Sequence, residues 1–264
     1  MDFFGSFVIA CSMYSRIPMP QIEWTEARMK YAMCFFPLIG LIMGMFLAAV
    51  TAVFQILHIG EGSVLWGVAG TILPLIVTGG IHLDGYLDVT DARSSYGDRT
   101  KKLEILKDPH VGAFAVIGCV VYLLAYLGFF SILPEYAVGA VGAVYMLTRA
   151  LSAMALVNFP KAKKDGLAAT FSDGAKRRGV TWTMVGYLAV AVVFFLRFYG
   201  AALTVLELAA AALAVWHYYR VSMKEFGGIT GDLAGYFLQR AELALIAVLA
   251  VWYQIEKIAL FPLH

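Results

Sequence analysis

One feature repeats from end to end of this chain: apolar runs about as long as a bilayer is thick. They lie at about Tyr31 to Leu57, Val64 to Ile81, Val111 to Leu133, Ala137 to Val157, Val180 to Phe198, Ala201 to Tyr219 and Ala241 to Leu260. A helix needs roughly 20 apolar residues to cross. Backbone polar groups cannot stay unpaired in lipid, so such runs fold as helices. Composition agrees. Hydrophobic residues make up 61% of the chain and charged residues 14%, whereas a soluble domain carries roughly a quarter charged residues. The expectation is an all-α polytopic membrane protein, one integral domain over residues 1–264, with about seven transmembrane helices. Residues 3 to 14 are apolar but too short to cross; they read as an interfacial or re-entrant helix ending at Arg16-Ile17-Pro18. The fifth and sixth runs are hinged at Gly200. No basic run precedes the first apolar stretch, so no cleaved signal peptide is expected. Cys11, Cys34 and Cys119 read as small buried hydrophobes without metal-ligand spacing.

The loops set the orientation. Arg16, Arg28 and Lys30 lie before the first run. Arg93, Arg99, Lys101, Lys102 and Lys107 lie between the second and third, and Lys161, Lys163, Lys164, Lys176, Arg177 and Arg178 between the fourth and fifth. Arg220, Lys224 and Arg240 bracket the loop before the last. The alternate loops near His58, Pro134 and Gly200 hold no Lys or Arg, with Arg197 close to the third. The positive-inside rule places the basic loops in the cytoplasm, at the cytoplasmic (inner) membrane. Every polar segment rich enough for chemistry then lies on one side. The net charge of +2 singles out no partner beyond the lipid bilayer; no nucleic acid is expected, and a homo-oligomer is compatible with the sequence.

The segment after the second run is unusual for so apolar a chain: His82-Leu-Asp84-Gly-Tyr-Leu-Asp88-Val-Thr-Asp91-Ala-Arg93, then Glu104-Ile-Leu-Lys107-Asp108. In a helix Asp84, Asp88 and Asp91 fall at i, i+4 and i+7, on one face. Like charges there repel, and a hard divalent cation such as Mg²⁺ offsets the repulsion. Glu104 and Asp108 repeat the i, i+4 spacing. The bland alternative is a solvated loop with incidental acids. Carboxylates that hold Mg²⁺ commonly serve phosphate chemistry, with arginines or lysines taking up the remaining charge; Arg16, Arg93 and Lys107 are placed to do so. Arg149, inside the fourth run, is costly there and calls for a substrate or an acid partner; snorkelling to the interface is its alternative. The Lys176-Arg177-Arg178 run reads as a contact for anionic lipid headgroups.

Two family resemblances follow. Asp88-x-x-Asp91-x-Arg93 with Glu104-x-x-x-Asp108 partly resembles the acidic signature of membrane CDP-alcohol phosphotransferases, with Ala92 where that family has Gly. Gly79-Gly80-Ile-His82-Leu-Asp84-Gly85-Tyr-Leu-Asp88-Val-Thr-Asp91 more closely resembles the central motif of the cobalamin-5′-phosphate synthases. Four further pieces are similar to that family in order: Tyr14-Ser-Arg16-Ile-Pro18, Phe36-Pro37-x-x-Gly40-x-x-x-Gly44, Leu106-Lys107-Asp108-x-x-x-Gly112-Ala-Phe114 and Gly227-Gly228-Ile-Thr230-Gly231-Asp232. Departures are Ala92 for Gly, Ser15 for Thr, and Pro109-His110 for Ser-Arg.

The resemblance implies an adenosylcobinamide-GDP ribazoletransferase. Such an enzyme joins α-ribazole, or α-ribazole 5′-phosphate, to adenosylcobinamide-GDP and releases GMP. On this reading Asp84, Asp88, Asp91 and Asp108 hold Mg²⁺, with Glu104 as a further candidate. A carboxylate or His82 takes the hydroxyl proton. Arg16, Arg93, Lys107 and Arg149 hold phosphate, and Thr230 and Asp232 contact substrate. His82 also fits an interfacial hydrogen-bonding role, and Asp232 the cap of the last helix. The rivals are a CDP-alcohol phosphatidyltransferase of phospholipid synthesis and a non-enzymatic transporter. A transporter places ionisable groups near the midplane, where this sequence looks almost free of charge.

Overall fold

The computed structural model describes residues 2–162 and 176–260, all of the regular structure in it helical. Lys163 and Lys164, counted among the basic residues above, lie outside the described residues. The helices are α1 (Phe3–Tyr14), α2 (Glu26–Ala32), α3 (Phe36–Ile56), α4 (Val64–Thr78), α5 (Ile81–Ser94), α6 (Arg99–Ile105), α7 (Ala113–Ser131), α8 (Val138–Asn158), α9 (Arg177–Val221) and α10 (Gly231–Leu260).

Five helical stretches are long and apolar enough to cross a bilayer, and the bent pair α4–α5 supplies one more. One of the five, Arg177–Phe226, runs to 50 residues, more than twice the roughly 20 a crossing needs. It doubles back at Gly200, whose φ of 82° and ψ of 170° are not helical. Contacts along α8 trace the turn. Arg177 Nε donates to Asn158 Oδ1 at 3.0 Å at one end of α8. The Tyr199 hydroxyl packs on Gly139 at the other end. Tyr218 and Tyr219 then return to the ring of Phe159. Two limbs joined at a glycine are what the sequence predicts; counted separately, they bring the candidate spans among the described residues from six to seven. α1, too short to span, packs against α2 and α3, where Val8, Ile9, Ala10 and Cys11 are buried.

α8 forms the centre of the bundle, buried along nearly its whole length between α3, α9 and α10. α3 approaches it closely because Gly44 lies against Gly142, so small residues let two backbones meet. At one end sit Arg16, Arg93, Lys102, Lys176 and Arg220; we call it the basic end. At the far end, Lys257 pairs with Glu61 at 3.1 Å.

Two local features place the functional segment. Thr78 ends α4, and Gly79 (φ 65°) and Gly80 (φ 78°) follow in the left-handed region that glycine tolerates without strain. The chain turns by 97° there, and the sequence's single second run becomes two elements. α5 then packs along the opening turns of α10, ahead of the apolar run that begins at 241. We read α4 as the crossing limb and the polar α5 as lying outside the spanning segments, at the basic end. α10 itself starts ten residues before its expected position, because the polar stretch 231–240 is helical too.

Candidate active site

α5 is helical where the acid spacing predicts it, so Asp84, Asp88 and Asp91 share a face. Against this helix lies the start of α10. A Cβ on Gly85 would sit 2.8 Å from the Asp232 carbonyl oxygen, and one on Gly235 2.8 Å from that of His82. Only glycines allow helices this close. The approach adds a fourth acid, Asp232, from a motif nearly 150 residues downstream. Burial, followed by the negative charges of Asp84, Asp232 and Asp91, pushes the Asp88 carboxyl up to about 6. The Asp91 carboxylate lies against Gly112, just before α7.

The Leu233 N–H donates to Thr230 Oγ1 at 3.2 Å, so Thr230 caps α10. Its hydroxyl also donates to Asp232 Oδ2 at 3.3 Å. Among the described residues, no three His, Cys, Asp or Glu side chains converge at metal-ligand distance. Asp88 feels the charges of the other three. Their chemistry, hard oxygen ligands carrying mutually repelling charges, fits a Mg²⁺ ion.

The other candidates from the sequence separate from this group. Glu104 pairs with Lys101 at 3.5 Å, both largely exposed. Asp108 accepts from the His110 N–H at 3.0 Å and lies 2.7 Å from His110 Nδ1, and these bonds hold its carboxyl below the usual range. Neither figures among the charges acting on Asp88. Lys107 is exposed in the turn after α6. Arg16 lies against Gly79 at the bend and lines one edge of an apolar groove of ≈770 Å³ between α3 and α4.

Arg93 is heavily engaged. It donates to Glu225 at 3.0–3.2 Å and to the Tyr236 hydroxyl at 2.6 Å. Lys102 reaches the same Glu225 at 2.7 Å. Glu225 sits in a single π-helical turn, Ser222–Phe226, directly before Gly227. The two cations therefore fasten the Gly227–Asp232 loop to α5 and α6. Sequence reading did not single out Glu225 or Tyr236.

His82 is 4% exposed, with its ring stacked on Tyr14 at 6.2 Å and edge-on to Phe36 at 5.8 Å. Its Nε2 has no hydrogen-bond partner. It faces an aromatic enclosure deeper than the carboxylates.

Arg149 receives a partner that the sequence reading did not name. Its Nη1 donates to Glu242 Oε1 at 2.7 Å and to the Tyr145 carbonyl at 2.9 Å, and both side chains of the pair are 1% exposed. The partner is neither the Asp84–Asp91 group nor a free interface. Glu242 and the buried Glu207 on the return limb of α9 also correct the expectation of a bundle interior almost free of charge. The signal was available: a lone acid inside an apolar run is expensive enough to demand an explanation.

Comparison with known proteins now adds to this geometry. A family model described as cobalamin-5-phosphate synthase matches residues 6–250. An adenosylcobinamide-GDP ribazoletransferase of Lachnoclostridium phytofermentans is 45% identical over 252 residues, covering 95% of this chain and 94% of that one. Proteins of the same name from Clostridium botulinum (31% identical; 92% and 95% covered) and Geobacillus kaustophilus (29%; 93% and 95%) are similar along the same length. No solved structure matches the chain.

Proposed function

The chain belongs to the cobalamin-5-phosphate synthase family, and from that premise we propose that it joins α-ribazole, or its 5′-phosphate, to adenosylcobinamide-GDP. A ribose hydroxyl attacks the phosphorus next to the cobinamide arm. A new P–O bond forms, the pyrophosphate P–O bond breaks, and GMP leaves with the bonding electrons. The hydroxyl proton passes to a protein base and then to water.

The observation that carries this reading is the joining of Asp84, Asp88 and Asp91 with Asp232 at the basic end. These four would hold Mg²⁺, which supplies neutralisation of the phosphate oxygens and of the charge departing on GMP. The chain's own residues do the rest. A carboxylate of this group within hydrogen-bond reach would accept the hydroxyl proton. Arg93 and Lys102, through Glu225, keep the Asp232 loop against α5. Lys107 and Arg16, both exposed on this side, are the cations free to meet substrate phosphates. The basic loops support a cytoplasmic position for the site in a cytoplasmic membrane.

The test is turnover by the purified chain in phospholipid vesicles, with adenosylcobinamide-GDP and α-ribazole. The expected result is equimolar GMP and cobalamin product that requires both substrates and stops on chelation of Mg²⁺. GMP release independent of α-ribazole would refute the transfer; full activity in excess chelator would refute the metal.

A further inference from the structure

A second cavity, of ≈380 Å³, lies between the return limb of α9 and α10. It is unused in the account so far, and its volume falls in the range of small-molecule pockets. Trp216 and His217 of α9 and Tyr236 and Arg240 of α10 line it, while Ala210 and Ala214 keep it open. Three properties point to a flat heterocyclic ligand. The His217 Nε2 is buried without a hydrogen-bond partner, and a buried polar atom left unpaired calls for an explanation. The walls offer aromatic rings, with His217 and Tyr236 centroids 6.4 Å apart. The Arg240 guanidinium sits 5.5 Å from the Tyr236 ring centre, adding a cation to that wall.

The cavity also adjoins α5. The Tyr86 ring of α5 stacks on Tyr236 at 5.6 Å and 12°, and the Tyr236 hydroxyl accepts from Arg93. Asp232, Tyr236 and Arg240 follow one another at i, i+4 and i+8 on one face of α10. The cavity therefore begins roughly 6 to 12 Å along the helix from the fourth acid, about the reach from a nucleoside base to its sugar hydroxyls.

We infer that this cavity holds the heteroaromatic base of the α-ribazole substrate, leaving its ribose to reach the carboxylates. The inference rests on the transferase reading above. A benzimidazole base is flat and fused, with an apolar edge and a single ring nitrogen bearing a free lone pair. His217, in the tautomer protonated at Nε2, offers one donor to that nitrogen. Guanine, the other base in the reaction, carries several donors and acceptors, and the measurements below separate it from α-ribazole.

The test uses the full-length protein in nanodiscs. Ala214→Phe fills the cavity and His217→Ala removes the donor. Equilibrium dialysis with α-ribazole alone measures affinity without turnover, and steady-state assays give KM for each substrate. Ala214→Phe should weaken α-ribazole binding at least about tenfold, as a blocked pocket does. His217→Ala should weaken it about fivefold, the worth of one hydrogen bond. KM for adenosylcobinamide-GDP should stay within about twofold, because uniform binding of that substrate is untouched. Unchanged α-ribazole affinity in folded variants would overturn the inference, leaving the cavity to lipid. So would a loss falling on adenosylcobinamide-GDP, which would assign it to guanine. If Ala214→Phe lowers the melting temperature, His217→Ala alone decides. Wild-type protein that binds α-ribazole but makes no product would refute the reaction and leave the pocket standing. Product formation with unaltered α-ribazole KM in both variants would do the reverse.

Discussion

Asp232 and Glu242 stand on the same helix ten residues apart, and the protein treats them in opposite ways. Glu242 is sealed in the bundle with a threonine hydroxyl and, at 2.7 Å, a guanidinium that lies over the Phe36 and Tyr145 rings. Asp232 is half-buried at the basic end among three other carboxylates. The Glu242 charge meets an opposite one inside the bundle; the Asp232 charge also acts on a like one, that of Asp88. A balanced buried pair holds helices in register, here α8 against α10. Carboxylates that raise one another's cost of ionisation gain free energy when a cation arrives, which is the basis of the metal reading proposed above.

Breaking each side of this comparison gives different outcomes. The largest effect is expected from Arg149→Leu, which strands Glu242 in the bundle and should cost about 3 to 5 kcal/mol of stability. Unfolding titration in mixed micelles measures it. The sequence alone made Arg149 a candidate phosphate holder; the Glu242 contact makes stability the first casualty. Next come Asp84→Asn, Asp88→Asn, Asp91→Asn and Asp232→Asn. Each should lower turnover at least about a hundredfold, or about 2.7 kcal/mol, and the three α5 variants should show no loss of melting temperature because each relieves repulsion. Wild-type turnover in all four would place the chemistry elsewhere. Smaller again is the double change Arg149→Met with Glu242→Leu. It removes both charges and should recover most of the stability lost by either alone; a cost as large as the single variant's would show that the pair is not a self-contained unit. The smallest effect is Lys101→Ala, which breaks the exposed pair with Glu104 and should change stability by less than about 0.5 kcal/mol.

How much of this was legible beforehand follows from which forces are local. Apolar length fixed the spans, and i, i+4, i+7 spacing fixed the acid face of α5, because both depend on neighbours in sequence. The bend at Gly79-Gly80 escaped because a continuous apolar run hides a change of direction. The polar start of α10 escaped because it is held by packing on α5 rather than by lipid. The meeting of Asp232 with Asp88, and of Arg149 with Glu242, is tertiary: nothing at either position in the sequence names the other. The family resemblance placed Asp232 near the site, but only the close approach at Gly85 and Gly235 gives that a physical basis. Glu104 and Asp108 carried the right spacing and nevertheless turn outwards, towards Lys101 and His110. Spacing sets a helix face; it does not choose what that face meets.

The central claim is that four carboxylates, one of them from α10, form a single cation-binding group. The most direct measurement is the melting temperature of wild type and Asp232→Asn in vesicles, titrated with Mg²⁺ in the absence of substrate. A cation that binds only the folded state stabilises it by mass action. The account predicts that Mg²⁺ raises the wild-type melting temperature, and that the rise is largely lost, or shifted to much higher Mg²⁺, in Asp232→Asn. The same Mg²⁺-dependent rise in both proteins would contradict it, leaving Asp232 outside the group and α5 alone to hold the metal.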